Sequence, residues 1–306
     1  MKRRDALLLA SAAALVPVTG HAQPAFVTTE VAPGLHVRQG VHEEANVENA
    51  DGIANIGFIV GDAAVAVIDP GGSRLDGERL RARIRGVTSL PIRYVVMTHL
   101  HPDHVFGAVA FEDDQPVYVG HARMAAMLVQ RGEFYRNRLA DVLGVDEAGD
   151  YAKPTLLVAD TAELDLGGRV LQLQAHATAH TDNDLSVLDR MTGTLWAGDL
   201  LFVDRVPAID GSILGWLAQL QALQALQVRQ AVPGHGPAVV PWPAGGADEE
   251  RYLATLVREI RAIIARGGDI ETAVATVGLS ERGRWALFDD YNGRNVTTAF
   301  KELEWE

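Results

Sequence analysis

The chain contains no cysteine. Disulfides, thiolate nucleophiles and cysteine-bound metals are therefore excluded, and any metal must be held by histidine and carboxylates. Basic residues are also in deficit: 27 Lys and Arg against 40 Asp and Glu give a formal charge of −13. A nucleic-acid binder needs a basic face to neutralise phosphates, so that partner is disfavoured, and an anionic membrane surface gains no support either. Past the first residues no apolar run approaches the about 20 residues that a spanning helix requires. Short repeats and low-complexity tracts are missing too. With 48% hydrophobic and 22% charged residues, the composition is that of a globular protein rather than a disordered one. A length of 306 residues allows one large domain or two ordinary ones, either with a substantial core.

Residues 1–22 read as an export signal. Lys2, Arg3 and Arg4 make a basic start, Ala6–Val16 is apolar but for Ser11, and Gly20 and Ala22 are small residues at the positions a signal peptidase reads. The apolar stretch is too short to span a bilayer. Arg3-Arg4 followed by Asp5-Ala6-Leu7-Leu8 resembles a twin-arginine signal, with a plain secretory signal as the alternative. Removing the segment takes away three bases and one acid, moving the charge from −13 to −15. The mature protein is expected to be periplasmic or secreted, with no membrane insertion.

Runs of β-branched residues separated by Gly, Asn or Asp predict strands at Phe26–Val31, Leu35–Arg38, Ile56–Val60 and Ala64–Ile68, with Gly61-Asp62 as a tight turn. A helix is expected over Ser73–Arg85, and a strand buried on both faces over Ile92–Met97. Val117–Val119 and Thr155–Val158 read as further strands, with a helix from Ala122 to Leu143 between them. The second half repeats the theme. Strands are expected at Ala162–Leu166, Val170–Gln174, Leu185–Leu188, Thr194–Ala197 and Ala231-Val232, and a helix over Leu214–Leu226. From Asp248 onward the chain reads as helical, with Tyr252, Leu253, Leu256, Val257, Ile260, Ile263 and Ile264 at helix spacing. Pro241–Gly246 reads as a linker. The domains are then residues 23–246 and a C-terminal helical extension, residues 247–306. Two strand-rich halves predict two sheets packed together and covered by helices.

The strongest chemical signal is His99-Leu100-His101-Pro102-Asp103-His104, directly after the strand that ends at Met97. His99 and His101, two apart on extended backbone, can point the same way. Pro102 suits the first turn of a helix, so Asp103 and His104 leave in another direction and one hexapeptide can serve two neighbouring metals. Further candidates follow later strands: His176 and His180 in Gln174–Asn183, Asp199 after Ala197-Gly198, and His235 in Pro233-Gly234-His235-Gly236. Singly each has a bland explanation as a loop residue or, for Asp199, a helix cap. Four strand ends carrying such residues make a site.

The series His-x-His-x-Asp-His, His-Thr, Gly-Asp and Gly-His-Gly resembles the metallo-β-lactamase-fold hydrolase superfamily over about residues 30–240. The resemblance implies an α/β fold, a four-layer αββα sandwich, with a two-metal site. By position, His99, His101 and His180 would bind the first metal, Asp103, His104 and His235 the second, and Asp199 would bridge them. His180 is preferred because Thr181 follows it; His176 is the fallback. Asp69, in Val67-Ile68-Asp69-Pro70-Gly71, resembles the family's early Asp-x-Gly turn, which supports the site from behind. Five imidazoles and two carboxylates suit two zinc ions, with iron or manganese as alternatives. A metal-bridging hydroxide would then attack a small thioester, ester or related substrate, with Asp103 as the catalytic proton carrier.

Asp199 stands where β-lactamases of this fold generally lack a bridging aspartate, which sets lactam hydrolysis behind other reactions. Gly198–Phe202, Arg205-Val206-Pro207, Asp210-Gly211-Ser212 and Gly215-Trp216-Leu217, with Asn295-Val296-Thr297 and Glu302-Leu303-Glu304, resemble the exported SoxH-related subgroup. That resemblance implies a periplasmic zinc hydrolase associated with sulfur oxidation or with a periplasmic quinoprotein dehydrogenase. A mononuclear iron sulfur dioxygenase and a noncatalytic accessory carrier are the other readings. Arg205 and Trp216 are candidates to line the pocket, and the loop His42–Asn55, with Asn46 and Asn49, a candidate flap.

Overall fold

The computed structural model describes residues 26–306; the export-signal reading of residues 1–22 lies outside the described residues. The first half lays down a seven-stranded sheet. β1 (Thr29–Ala32), β2 (Leu35–Arg38), β3 (Ile56–Val60) and β4 (Val65–Ile68) pair antiparallel in sequence order. β5 (Ile92–Val96), β6 (Val117–His121) and β7 (Leu156–Val158) continue the sheet in parallel from β4. The second half makes a six-stranded sheet. β8 (Thr161–Asp165), β9 (Val170–Ala175), β10 (Leu185–Asp189) and β11 (Thr194–Phe202) form an antiparallel meander. β12 (Gln230–His235) joins β11 in parallel and β13 (Val240–Pro241) closes the edge.

Strand periodicity assigns the faces. Ala66 and Ile68 of β4 turn inward to Leu171, Leu173, Val187 and Trp196 of the second sheet. Val65 and Val67, one residue out of phase, pack outward against Leu80 and Ile84 of α1 (Arg74–Val87). Val95 and Val96 of β5 divide in the same way between the outer and the inter-sheet cluster. Burial on both faces is why these strands are continuous Val/Ile runs rather than alternating ones. Ser73 caps α1 by accepting from the Asp76 amide. α2 (Pro102–Val105) and α3 (Met124–Leu143) close one end of the first sheet around Leu100, Phe106 and Leu128, and the short α4 (Val145–Ala148) follows.

The outer face of the second sheet is covered by α5 (Ile213–Gln224), α6 (Ala247–Ile264), α7 (Ile270–Thr276) and α8 (Phe288–Leu303), which share a cluster containing Leu195, Trp216, Tyr252, Leu256 and Val296. The result is the four-layer αββα arrangement with a C-terminal helical region. Three details differ from expectation. Residues after 248 are not one helical run: breaks fall at Gly267 and Gly278, both with left-handed backbone. Pro241–Gly246, read as a linker, holds β13 and a turn, and Trp242 is buried with its indole N–H on the Leu223 carbonyl. β11 does not stop at Ala197 but runs to Phe202. No helix of the described residues is long and apolar enough to cross a membrane.

Candidate metal centre

The site lies where β4, β5, β9 and β12 end, beside Gly198-Asp199 of β11. Asp69, just past β4, has φ +54°, a costly conformation for a residue with a Cβ. It turns the carboxylate under the neighbouring loop, where it accepts from the Thr98 amide (2.8 Å), the Thr98 hydroxyl (2.9 Å) and His104 Nδ1 (2.9 Å). Thr98 anchors the hexapeptide at its start. Pro102 then opens α2, and the chain divides its ligating residues between two directions.

Two groups of donors result. In the first, His101 Nδ1 lies 3.1 Å from His99 Nε2 and 2.9 Å from His180 Nε2. Asp199 Oδ2 lies 3.6 Å from His99 Nε2 and 3.3 Å from His180 Nε2. In the second, Asp103 Oδ2 lies 3.2 Å from His235 Nε2 and 3.6 Å from His104 Nε2. Asp199 belongs to both: its Oδ1 is 3.0 Å from His104 Nε2 and its Oδ2 is 3.4 Å from His235 Nε2. The side chains of His99, His101, His180 and Asp199, and those of Asp103, His104 and His235, thus form two clusters of metal-ligating type that touch through one carboxylate.

Asp199 reaches both clusters because the backbone around it is unusual. Gly198 has φ +56°, which bulges β11 and aims the next side chain out of the sheet. Across the ladder, an added Cβ at Gly234 would stand 1.8 Å from Asp199 Oδ1. Glycine is required there for the close approach of β12.

The donor set fits divalent cations by its hydrogen bonding. The outer nitrogen of each imidazole has an acceptor. His180 Nδ1 donates to the Ala208 carbonyl (2.7 Å) and His235 Nδ1 to the Ile53 carbonyl (3.0 Å). His104 Nδ1 donates to Asp69 and His99 Nδ1 to the Thr98 hydroxyl (3.1 Å), which itself donates to Asp69. His101 Nε2 donates to Asp210 Oδ2 (3.3 Å). With the protons outside, five lone pairs converge inside, an arrangement that a cation between them stabilises. His104 Nε2 and Asp199 Oδ1 are buried without a hydrogen-bond partner.

Electrostatics follow the same division. Burial pushes His99 well below the usual imidazole range and His180 down to about 3, which keeps both neutral and nucleophilic. Burial also opposes charge on His104, but the carboxylates of Asp199, Asp103 and Asp69 outweigh it and raise its pKa, so its Nε2 offers a lone pair only when a cation displaces the proton. Asp199, although buried, is held well below the carboxylate range by His104, His235 and His99.

All seven expected side chains meet at this centre. His176, the fallback, does not: it lies in the other direction, with Nε2 2.8 Å from the Ser186 hydroxyl and Nδ1 3.0 Å from Gln219 Oε1. Thr181 earns its place after His180 by folding the loop, its amide and hydroxyl both donating to Asp184 (2.9 and 2.6 Å); burial pushes the Asp184 carboxyl up to about 7. Trp216 is fully buried beneath His180, ring centroids 5.1 Å apart, and is not among the residues that line the cleft. Arg205 does line the cleft, donating to the Glu43 carbonyl (3.2 Å). In the loop 42–55, Asn46 and Asn49 bond each other and fold the loop, while Ile53 faces the site.

Several contributors carry no local sequence signal. Asn55 bonds the Gly40 amide (2.9 Å) and the Pro233 carbonyl (2.8 Å), tying the two sheets together beside His235. Asp210 holds His101 and pairs with Arg131. Tyr135, Tyr291 and Arg294 line the cleft, which has a volume of about 300 Å³.

Comparison with known proteins agrees with this geometry. Residues 49–235 match the family described as the metallo-beta-lactamase superfamily. A linear primary-alkylsulfatase from a Pseudomonas species is 21% identical over 235 residues, covering 65% of this chain and 43% of the relative. Among solved structures, a metallo-beta-lactamase from Pontibacter korlensis superposes with a TM-score of 0.60 at 17% identity, covering 74% of this chain and 98% of that one. A stereoselective inverting sec-alkylsulfatase from a Pseudomonas species gives a TM-score of 0.60 at 17% identity, over 82% of this chain and 45% of that one. The chain thus spans less than half the length of the alkylsulfatases it matches.

Proposed function

From the premise that this chain belongs to the metallo-beta-lactamase superfamily, a family of metal-binding hydrolases, we propose that it is an exported dinuclear zinc hydrolase acting on a small thioester, ester or related substrate. The observation that carries the reading is Asp199, whose two oxygens serve both donor groups. His99, His101, His180 and Asp199 would hold one cation, and Asp103, His104, His235 and Asp199 the other. Two divalent ions supply Lewis acidity at the substrate oxygen and lower the pKa of water.

The chain's own residues do the rest. Outer-nitrogen bonds fix each imidazole, so the donors need no rearrangement when substrate arrives. Asp103, mostly buried at the wall of the cleft, is kept ionised by His104 and His235 against the effect of its burial. It accepts a proton from the attacking water as oxygen bonds to the carbonyl carbon, and returns it to the leaving oxygen or sulfur as that bond breaks. No serine or thiol nucleophile is involved.

The export signal supports a periplasmic or secreted location, and the SoxH-related resemblance supports work beside a quinoprotein dehydrogenase or a sulfur-oxidation system. The alkylsulfatase relatives favour one second reading, sulfate-ester hydrolysis at the same centre. The test is metal analysis of protein isolated from its own host, followed by thioester, lactone, sulfate-ester, phosphodiester and β-lactam chromogens with and without chelator. Two zinc per chain and chelator-sensitive thioester or ester turnover are expected. One iron per chain would overturn the reading in favour of oxidation chemistry, and full metal loading without turnover would leave a carrier. Faster sulfate-ester than thioester turnover would put the second reading first. A mature N-terminus after Ala22 is expected for the exported form.

A further inference from the structure

The cleft does not end at the metal centre. A second lobe of about 280 Å³ adjoins it, and the two share Ile53, Tyr135, Tyr291 and Arg294 as common lining. The second lobe is apolar along Ala45, Phe134, Leu139 and Val142. Phe134 and Val142 are exposed there despite being large and apolar, so the surface is uncovered where a ligand body would lie.

Two guanidinium groups border this apolar surface, Arg138 on α3 and Arg294 on α8. Neither is in an ion pair among the described residues, whereas most arginines around them are, Arg131 with Asp210 and Arg136 with Asp150 among them. Arg294 is oriented, lying 5.3 Å over the ring of Tyr291, and Arg205 lies 5.6 Å from the centroid of the same ring. The acids of the lobe are otherwise engaged. Glu44 accepts from the Tyr291 hydroxyl (2.5 Å) and lies 3.8 Å from Arg205. Asp103 faces the metal centre, and Asp51 is buried, with 3% of its surface exposed. The lobe therefore offers apolar contact bordered by two positive charges, Arg294 at its junction with the metal-centre cleft and Arg138 within it, in a protein that is acidic as a whole.

We infer that the substrate is an ester or thioester whose apolar body carries a second, acidic group, held between Arg294, where the two lobes meet, and Arg138 in the second lobe, while the scissile carbonyl lies at the metal centre. The inference rests on the hydrolase reading above, and it adds a specificity site that the donor residues do not provide. A carboxylate and a sulfate share the chemistry that guanidinium groups recognise.

Turnover of mono-4-nitrophenyl esters of adipate, pimelate and suberate by the metal-loaded protein, each against the 4-nitrophenyl ester of the matching monocarboxylic acid, tests it. At low salt the best acid-tailed ester should exceed its neutral counterpart in kcat/KM by about tenfold, the factor that about 1.4 kcal/mol supplies, chiefly through KM. The ratio should collapse toward one in the double variant Arg138→Gln/Arg294→Gln and decline with added sodium chloride. Ratios near one throughout the native series, or a preference that survives in the double variant, would overturn the inference. Calorimetric titration of the metal-loaded protein with suberate and with octanoate separates this outcome from failure of the hydrolase reading. If no ester is cleaved but suberate binds about tenfold more tightly in an Arg138- and Arg294-dependent way, the acid-tail site stands and hydrolysis falls. Equal binding of the two acids sinks the acid-tail site whatever the esters do.

Discussion

Asp69 lies outside both donor groups yet receives the outer proton of His104 and both polar hydrogens of Thr98. Replacing it with Asn leaves a donor facing donors. Asp69→Asn is expected to weaken metal binding by about 10–100-fold, measured by competition with a chromophoric chelator. His180 and His176 give a sharper contrast, four residues apart in one loop. His180→Ala should lower the metal content of the purified protein and reduce kcat by at least about 100-fold, whereas His176→Ala should leave the metal content unchanged. Equal loss in both would contradict the geometry. The seven donors were legible because each sits in a short pattern that its own backbone neighbours create: a proline opening a helix at 102, a threonine folding the loop at 181, a glycine before Asp199. Asn55, Asp210 and Arg294 were not, because their partners are Pro233, His101 and the cleft, all distant in sequence. Asp210 and Asn295 lay inside runs cited for their resemblance, but nothing local told which member of a run would touch the site.

At the level of strands and helices, β11 is the element on which the centre turns. Gly198-Asp199 reads locally as the end of a strand, because glycine weakens strands and Asp favours turns. Pairing with β12 on one side overrides that preference and carries the strand on to Phe202. Gly234→Ala should therefore damage activity more than fold, since the new methyl group meets Asp199 Oδ1 and the backbone of residues 198–199. A loss of at least about tenfold in kcat/KM with far-ultraviolet dichroism preserved is expected. The helical layer has its own fastening. Glu281, in the turn between α7 and α8, accepts from Arg251 of α6 (2.9 Å) and from the Trp285 indole (3.1 Å). Arg251 holds the Glu281 carboxyl below its usual range. Its stabilising share is complete above the unfolded carboxyl pKa of about 4.3 and fades as pH falls through the depressed folded value. Glu281→Gln should cost about 1 kcal/mol at pH 7 in urea melts, and that difference should shrink below pH 4. The strands of the first sheet were legible from both-face burial; the break at Gly267 also carries its own signal, Gly267-Gly268 followed by the capping Asp269, which the expectation of one helical run passed over.

For the whole molecule, the donors of two sheets face one another across the end of the sandwich, so bound cations join halves that otherwise meet through apolar side chains. Any ligand that binds only the folded state stabilises it. At a thousandfold excess over the dissociation constant the gain is about 4 kcal/mol per site. At about 2 °C of Tm per kcal/mol in a domain of this size, chelation should lower Tm by roughly 8 °C or more. A scan insensitive to chelator would mean that no cation bridges the sheets. The αββα order was legible because the alternation of strands and helices restricts how layers can stack. The shape of the cleft was not, because its walls come from α3, the loop 42–55 and α8, three segments with no shared sequence feature.

Tyr291 and Arg294 belong to α8, whereas the donors are complete by His235. A polypeptide emerging from a ribosome thus carries all seven donors some fifty-odd residues before the helix that would supply the proposed selectivity. Clipping ahead of α8 would strip Val296, Phe300 and Leu303 from the cluster that covers the second sheet, so the wall of the cleft and the outer layer would be lost together.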